Sequence, residues 1–371
     1  MRARRLWSPL AAAIAAVSMG LQACGDPGSA VDEPPPLAAG VEGAPTAQPG
    51  QAPAAGQTLR AVKARGYLLC GVHQGLLGFA YADNNGRWRG FDVDFCRATA
   101  AAVLGDGNAV RFIPTSSTDR FSALQSGEVD VLWRNTSGTF SRDATLNLAG
   151  VNYYDGQGFM APRASGVRSA KDLDGARICI QTGSTNELNL TDWFRAHGLR
   201  YQPVVFDTED KARSAYDREQ CDALTADMSN LAAARVAMKR PDDHVLLPEI
   251  ISKEPLGPVV RHGDDQWTDV VRWTLNATIL AEELGITSQN LQAQRQSQSP
   301  EVRRLLGAEG GLGRMIGLQD DWAVKVIATS GNYGEIFERN LGAQTPLKLA
   351  RGLNAPWNGA PSGLLFAAPM R

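Results

Sequence analysis

The chain has 371 residues and carries 37 basic against 39 acidic side chains, so it is almost neutral and long enough to bury two sizeable cores. No basic stripe stands out, which argues against nucleic acid as the main partner. The four histidines (His73, His197, His244, His262) are scattered and no cysteine spacing resembles a metal site, so neither a metal nor a cofactor is expected.

At the N-terminus Arg2, Arg4 and Arg5 precede an apolar stretch from Leu6 to Leu21, followed by Leu21-Gln22-Ala23-Cys24-Gly25. A basic region, a short apolar region and small residues at a cleavage point predict a secretory signal over residues 1–23. The last five residues resemble the lipoprotein signal of bacteria, which implies a lipid on Cys24 and a membrane anchor. An ordinary cleaved signal and an uncleaved anchor remain open alternatives. Residues 24–57 are rich in Pro, Ala and Gly and hold few large apolar side chains, which predicts a disordered tether. Setting Cys24 aside leaves four cysteines in an oxidising compartment and three possible pairings. Cys70–Cys96 with Cys179–Cys221 is preferred, because each bridge then stays inside one domain.

Beyond the tether, helix alternates with strand. The pattern predicts a helix at Thr58 to Ala64, a strand at Tyr67 to Val72 and a helix at Asp92 to Leu104. A strand at Val110 to Ile113, a helix at Thr118 to Ser126 and a strand at Val129 to Trp133 follow. A β-rich passage, Val151 to Ala161, leads into a second run. It holds strands at Arg177 to Gln181, Pro203 to Phe206, Asp222 to Thr225 and His244 to Leu247. Helices at Thr185 to His197, Asp210 to Arg218 and Met228 to Lys239 lie between them. Glu254 to Val260 reads as a second extended crossing. Helices are expected at Gln266 to Leu284, Pro300 to Leu306 and Asp320 to Asn340, with the last thirty residues irregular. Such alternation predicts α/β sheets with ligands at the carboxyl ends of the strands. Two crossings between two α/β lobes suggest a hinge.

The segment Asn135 to Asp143 follows an apolar strand and gathers an amide, hydroxyls and one guanidinium, a set suited to gripping a carboxylate. Read more simply, Ser141 is a helix N-cap and Arg142 is solvated. Gly183-Ser184-Thr185 starts a helix, where free N–H groups favour an anion. Ser184, Thr185 and Asp227 each have a competing reading as ordinary N-caps.

Gly90-Phe91-Asp92-Val93-Asp94-Phe95 resembles the signature of the bacterial extracellular solute-binding proteins, family 3. The segments Thr58 to Gly71, Arg134 to Arg142, Val151 to Met160, Gln181 to Leu190, Ile250 to Gly263 and Gly331 to Asn340 are similar to the general amino-acid binding subunits within it. The resemblance implies a two-lobed periplasmic binding protein fold of type II. Lobe one would take 58–161 plus 260–371, with a helical C-terminal extension, and lobe two 162–259. It also implies a non-enzymatic, monomeric receptor of an ABC importer that captures a broad, polar-leaning range of L-amino acids and delivers them to a membrane permease. By position, Arg142 binds the α-carboxylate, with Asn135, Ser137 and Thr139 beside it. Ser184 and Thr185 donate to the same carboxylate from the second lobe, and Asp227 pairs with the α-ammonium. Leu76 stands where several relatives place an aromatic that stacks on the ligand, and His73 in the same loop is a candidate side-chain contact. A lyase or dehydratase on the same fold, or an amino-acid sensor, are the competing functions.

Overall fold

The computed structural model describes residues 56–371. The expected signal, Cys24 and all but the end of the tether lie outside them. Order begins at a helix, α1 (Gln57–Arg65), one residue earlier than its pattern suggests. The carboxylate of Asp264 explains the start, accepting from Gly56 N at 3.0 Å and Thr58 N at 2.7 Å. The same carboxylate accepts from Trp267 N at 3.2 Å and so caps a second helix, satisfying orphan donors at both.

The first lobe continues through β1 (Leu68–His73), the short hairpin β2 (Tyr81–Ala82) and β3 (Trp88–Arg89), and α2 (Phe91–Leu104). It then runs through β4 (Val110–Thr115), α3 (Arg120–Ser126), β5 (Val131–Ser137), α4 (Phe140–Asp143) and β6 (Leu146–Leu148). The first crossing is β7 (Tyr153–Asp155). The second lobe holds β8 (Gln157–Pro162), β9 (Arg177–Gln181), α5 (Asn186–Ala196), β10 (Gln202–Phe206), α6 (Glu209–Asp217), β11 (Ala223–Asp227), α7 (Met228–Val236) and β12 (His244–Leu246). The chain returns along β13 (Glu254–Arg261) and finishes in α8 (Asp265–Glu283), α9 (Leu291–Gln294), α10 (Pro300–Leu305), α11 (Leu312–Met315), α12 (Trp322–Ser330) and α13 (Tyr333–Asn340).

Two sheets result. The first runs β4-β1-β5-β13-β6, with β7 also on β13; β1 is parallel to both neighbours, and β13 is antiparallel to its own. The second runs β10-β9-β11-β8-β12, parallel as far as β11 and antiparallel beyond it. In β9 the alternation of side chains sends Ile178 and Ile180 into one core, with Phe159 and Phe194, and Cys179 into the other, with Tyr216 and Leu231. The C-terminal helices belong to the first lobe's core: Trp322, Ile327, Tyr333 and Phe337 share one apolar cluster with Phe91, Phe95 and Trp133. Phe95 stacks on Trp133 with ring centroids 4.7 Å apart.

Disulfides join Cys70 to Cys96 (β1 to α2) and Cys179 in β9 to Cys221 just before β11, so neither crosses between lobes. Among the differences from expectation, two have plain causes. The helix expected over Asp320 to Asn340 breaks at Gly331, whose φ of +81° suits glycine; Asn332 then restarts it with a capping box to Glu335. The strand expected to stop at Trp133 continues to Ser137, because β13 pairs with it (Leu256 opposite Ser137, Gly257 opposite Thr136).

Candidate functional site

The crossings meet side by side, with Glu254 opposite Asp155 and Leu256 opposite Tyr153. They form the floor of a cleft whose walls are the carboxyl ends of β1, β4 and β5 in one lobe and of β9 and β11 in the other. The lobes touch across it. Ser137 Oγ lies 3.5 Å from Thr185 Oγ1, and His73 Nε2 lies 3.5 Å from Glu209 Oε2. A Cβ on Gly183 would come within 2.9 Å of Thr118 Cγ2, so the backbone there approaches the opposite lobe closely.

From the first lobe, Arg142 sits on the single turn of α4. Thr139, not Ser141, is the N-cap; its hydroxyl accepts from Arg142 N at 3.3 Å. Arg142 Nη1 donates to Ser137 O at 2.9 Å, and its guanidinium lies 5.2 Å over the Phe121 ring. Burial pulls its pKa down, while the charges of Glu254 and Asp227 pull it back up, so it faces one acid of the floor and one of the far wall. Asn135 has φ of +40°, a strained setting for a residue with a side chain, and neither polar atom of its buried amide has a partner. Its backbone N–H is held by Asp92, the first acid of the Gly90 to Phe95 signature, whose carboxyl burial pushes up to about 7.

From the second lobe, Asp227 ends β11 at the N-cap position of α7 yet makes no capping bond; instead it accepts from Asn186 Nδ2 at 2.9 Å. Thr185 likewise occupies an N-cap position without capping, and its hydroxyl donates to Glu254 Oε2 at 2.9 Å. The simple N-cap reading therefore fails for both. Ser184 turns away, donating to Gln181 O at 2.8 Å, and Gly183 N is taken by Glu187 at 2.8 Å. Thr139 and Ser184 thus shape their own loops, whereas Asn135, Ser137, Arg142, Thr185 and Asp227 converge.

Electrostatics divide the cleft. Burial raises Asp227 well above the carboxylate range, and the charges of Asp155 and Glu254 raise it further. Burial likewise lifts Asp155, to about 6. Glu254 gathers donors from Thr185, Asn189 (2.6 Å) and Ser252 (2.7 Å). On the other wall stand three guanidiniums: Arg142, Arg134 and Arg120. Burial lowers Arg134 to about 10, against the attraction of Glu209; it donates to Thr115 O at 3.0 Å and Ser117 Oγ at 3.3 Å. Such a field suits a zwitterion with its acid end on one wall and its ammonium on the other.

His73 and Leu76 line a cavity of about 90 Å³ beside this axis, with Gln181, Asn186, Glu209 and Asn230 among its other walls. His73 Nδ1 accepts from Gly75 N at 3.1 Å, which leaves Nε2 toward Glu209, and burial lowers its pKa. Leu76 is buried. Arg120, Arg134, Glu209 and Glu254 were not singled out from the sequence. Arg134 carried a signal, a charge directly after the apolar run Val131 to Trp133 and within the same strand; Glu209 reads as an ordinary first-turn acid and Glu254 as part of a crossing. Among the described residues no group of His, Cys, Asp and Glu could hold a metal ion.

Comparison with known proteins places this geometry. The General L-amino acid-binding periplasmic protein AapJ of Rhizobium johnstonii is 53% identical over 326 residues, 87% of this chain and 95% of the relative. The Glutamate/glutamine/aspartate/asparagine-binding protein BztA of Rhodobacter capsulatus is 54% identical over 321 residues, 86% of this chain and 94% of the relative. A solved ABC transporter / periplasmic binding protein from Brucella ovis with glutathione bound superposes with a TM-score of 0.83 at 55% identity, covering 85% of this chain and 99% of its own. Residues 68–289, more than half the chain, match the model of the bacterial extracellular solute-binding proteins, family 3, and the chain belongs to that family.

Proposed function

We propose that the protein is the amino-acid receptor of an ABC importer, holding its ligand between the lobes and presenting it to a membrane permease. The observation that carries this is the opposition of Arg142 to Asp227 across one cleft, the acid buried and the guanidinium half-buried, neither spent on the helix it adjoins. Support comes from relatives near 50% identity over most of both chains, which are named for binding amino acids in the periplasm or for amino-acid ABC transport.

In this reading Arg142 and the hydroxyls of Ser137 and Thr185 take the α-carboxylate, and Asp227 takes the α-ammonium. Asn135 contributes its strained backbone and amide. A ligand bridging both walls favours the form in which all its charges are met, which is how binding is coupled to closure. Each charge-assisted bond contributes about 1.5–3 kcal/mol. Three or four of them, less the costs of desolvation and closure, leave about −8 kcal/mol, a micromolar constant. The second lobe, from β8 to β12, moves as a unit about β7 and β13. The mature chain begins at a lipid-bearing Cys24 and works as a monomer tethered to the membrane.

Calorimetric titration of the purified protein with a panel of L-amino acids tests the reading. Dissociation constants near micromolar for several are expected; none tighter than millimolar would refute it. Mass spectrometry of the membrane fraction, with Cys24→Ser releasing the protein, tests the anchor.

A further inference from the structure

We propose that Asn354, in the C-terminal extension, is a positioning residue for ligand capture. Its side-chain amide clamps Tyr154 to the first lobe, so that closure turns at the Tyr154–Asp155 and Glu254–Pro255 links and Asp155 and Glu254 travel with the second lobe. This rests on the receptor reading above and adds where the molecule bends and which acids move.

Among the described strands β7 pairs with β13 alone. On the open side of β7 the amide of Asn354 reproduces a strand partner: Oδ1 accepts from Tyr154 N at 2.6 Å and Nδ2 donates to Tyr154 O at 3.1 Å. Asn354 is 3% exposed and is itself fixed. Its N–H donates to Arg351 O at 2.8 Å, and its carbonyl accepts from Arg351 Nε at 2.9 Å. The Arg351 guanidinium donates to both oxygens of Glu282 in α8, at 2.9 and 3.0 Å, and lies over the rings of Tyr333 and Phe337 in α13. Tyr154 is thereby joined to the first lobe's core through Asn354 and Arg351, both beyond residue 289, where the family match ends.

The partners change sides between adjacent residues. On the first crossing Asn152 is held by the first lobe, its N–H donating to Leu256 O at 2.9 Å and its Nδ2 to Asp92 Oδ1 at 3.3 Å, as Tyr154 is held by Asn354. The next residue belongs to the other body. Asp155 Oδ2 accepts from Ser229 N at 3.2 Å, and Gly156 O accepts from Met228 N at 2.9 Å, both donors being in α7. On the second crossing Glu254 accepts from Thr185 and Asn189 of the second lobe, whereas Pro255 O accepts from Gly138 N of the first at 2.8 Å. Tyr154 lies opposite Pro255 and Asp155 opposite Glu254, so both changes fall at one level. A chain bends where its fixings change body, and the ring of Pro255 holds its own φ, which leaves the turn there to Glu254. Asp155 and Glu254 then stay beside Asp227 throughout, and the acids reach the ligand's ammonium as one piece.

The test compares the intact mature protein with Asn354→Ala, by residue-resolved amide hydrogen exchange and by calorimetric titration with L-glutamate, L-glutamine and the rest of the L-amino-acid panel. In the parent the Tyr154 amide is expected to stay protected with or without amino acid, and in the variant to exchange about tenfold faster or more. The variant is expected to weaken every ligand that binds by one common factor, about threefold to tenfold, because a loosened hinge dilutes the state that can close whatever the side chain. Unchanged affinity beside a lowered melting temperature would make Asn354 a purely structural residue and overturn the proposal, as would losses that differ from ligand to ligand. A parent Tyr154 amide that exchanges like a free one, or that loses protection when the ligand leaves, overturns it even where the variant does not fold. Failure of the whole panel to bind the parent removes the receptor reading and the proposal with it, an outcome distinct from free exchange at Tyr154 in a parent that binds.

Discussion

Arg142 is held by its own loop before any ligand arrives: Thr139 caps its turn, Ser137 O accepts from its Nη1 and Phe121 supports its face. Truncation should therefore remove ligand contacts without unfolding the lobe. Arg142→Ala is expected to weaken amino-acid binding at least about a hundredfold, with a melting temperature shifted by only a few degrees. Calorimetry and a thermal melt check both halves. The acids opposite set a pH dependence. Burial and the charges of Asp155 and Glu254 hold Asp227 above the carboxylate range, and burial with the charge of Glu254 does the same to Asp155, whereas a bound ammonium favours their ionised forms. Binding should thus release protons, and affinity should fall as pH drops through about 6 and below, where these carboxyls hold their protons. Titrations at pH 5.5 and 7.5, in buffers of different ionisation enthalpy, measure both effects. At this scale the sequence was partly legible. Arg142 and Asp227 were placed by resemblance, and their alternative as solvated residue and N-cap was resolved only by the hydrogen bonds. Arg120 and Glu209 were not found, because a charge in the first turn of a helix has no sequence mark that separates cleft from solvent.

Among the elements, strands and helices with strong periodicity were found close to their limits; the exceptions have physical causes that lie elsewhere in the chain. The extension of β5 to Ser137 depends on β13, more than a hundred residues downstream, and no local pattern reports it. The break between α12 and α13 was visible in principle as Gly331-Asn332 followed by Glu335. There the apolar period runs on through both helices and outweighed the capping signal. Asn332 also donates to Ile286 O at 2.8 Å, so Asn332→Ala loses a cap and a tertiary bond together. A cost of about 1–2 kcal/mol is expected, read from denaturant unfolding. The C-terminal segment has its own tie to the crossings. Asn354 Oδ1 accepts from Tyr154 N at 2.6 Å, and its Nδ2 donates to Tyr154 O at 3.1 Å. Tyr333 Oη adds a bond to Asn152 O at 2.8 Å. The helical extension, whose role was open from the sequence, thus packs into the first lobe's core and braces the floor of the cleft.

For the molecule as a whole, the covalent and apolar organisation follows the lobes. Each disulfide closes a loop within one lobe, with separations of 26 and 42 residues, and each should stabilise its lobe by about 3–4 kcal/mol on the chain-entropy model. Reduction is expected to lower the melting temperature while leaving ligand-driven closure intact, since neither of these two bridges spans the moving parts; small-angle scattering with and without ligand, before and after reduction, checks this. The two-lobed α/β organisation was readable because alternation of strand and helix is a local property. The cleft between the lobes was not, since it depends on two distant carboxyl-end rims being brought face to face. The central assertion is that one zwitterion is gripped by its two charges from opposite walls. The most direct measurement is calorimetric comparison of a bound L-amino acid with two analogues, one with the carboxylate converted to an amide and one with the ammonium replaced by a hydroxyl. Loss of at least about a hundredfold in affinity for each analogue is expected. Retention of full affinity by either one would contradict the grip at that end.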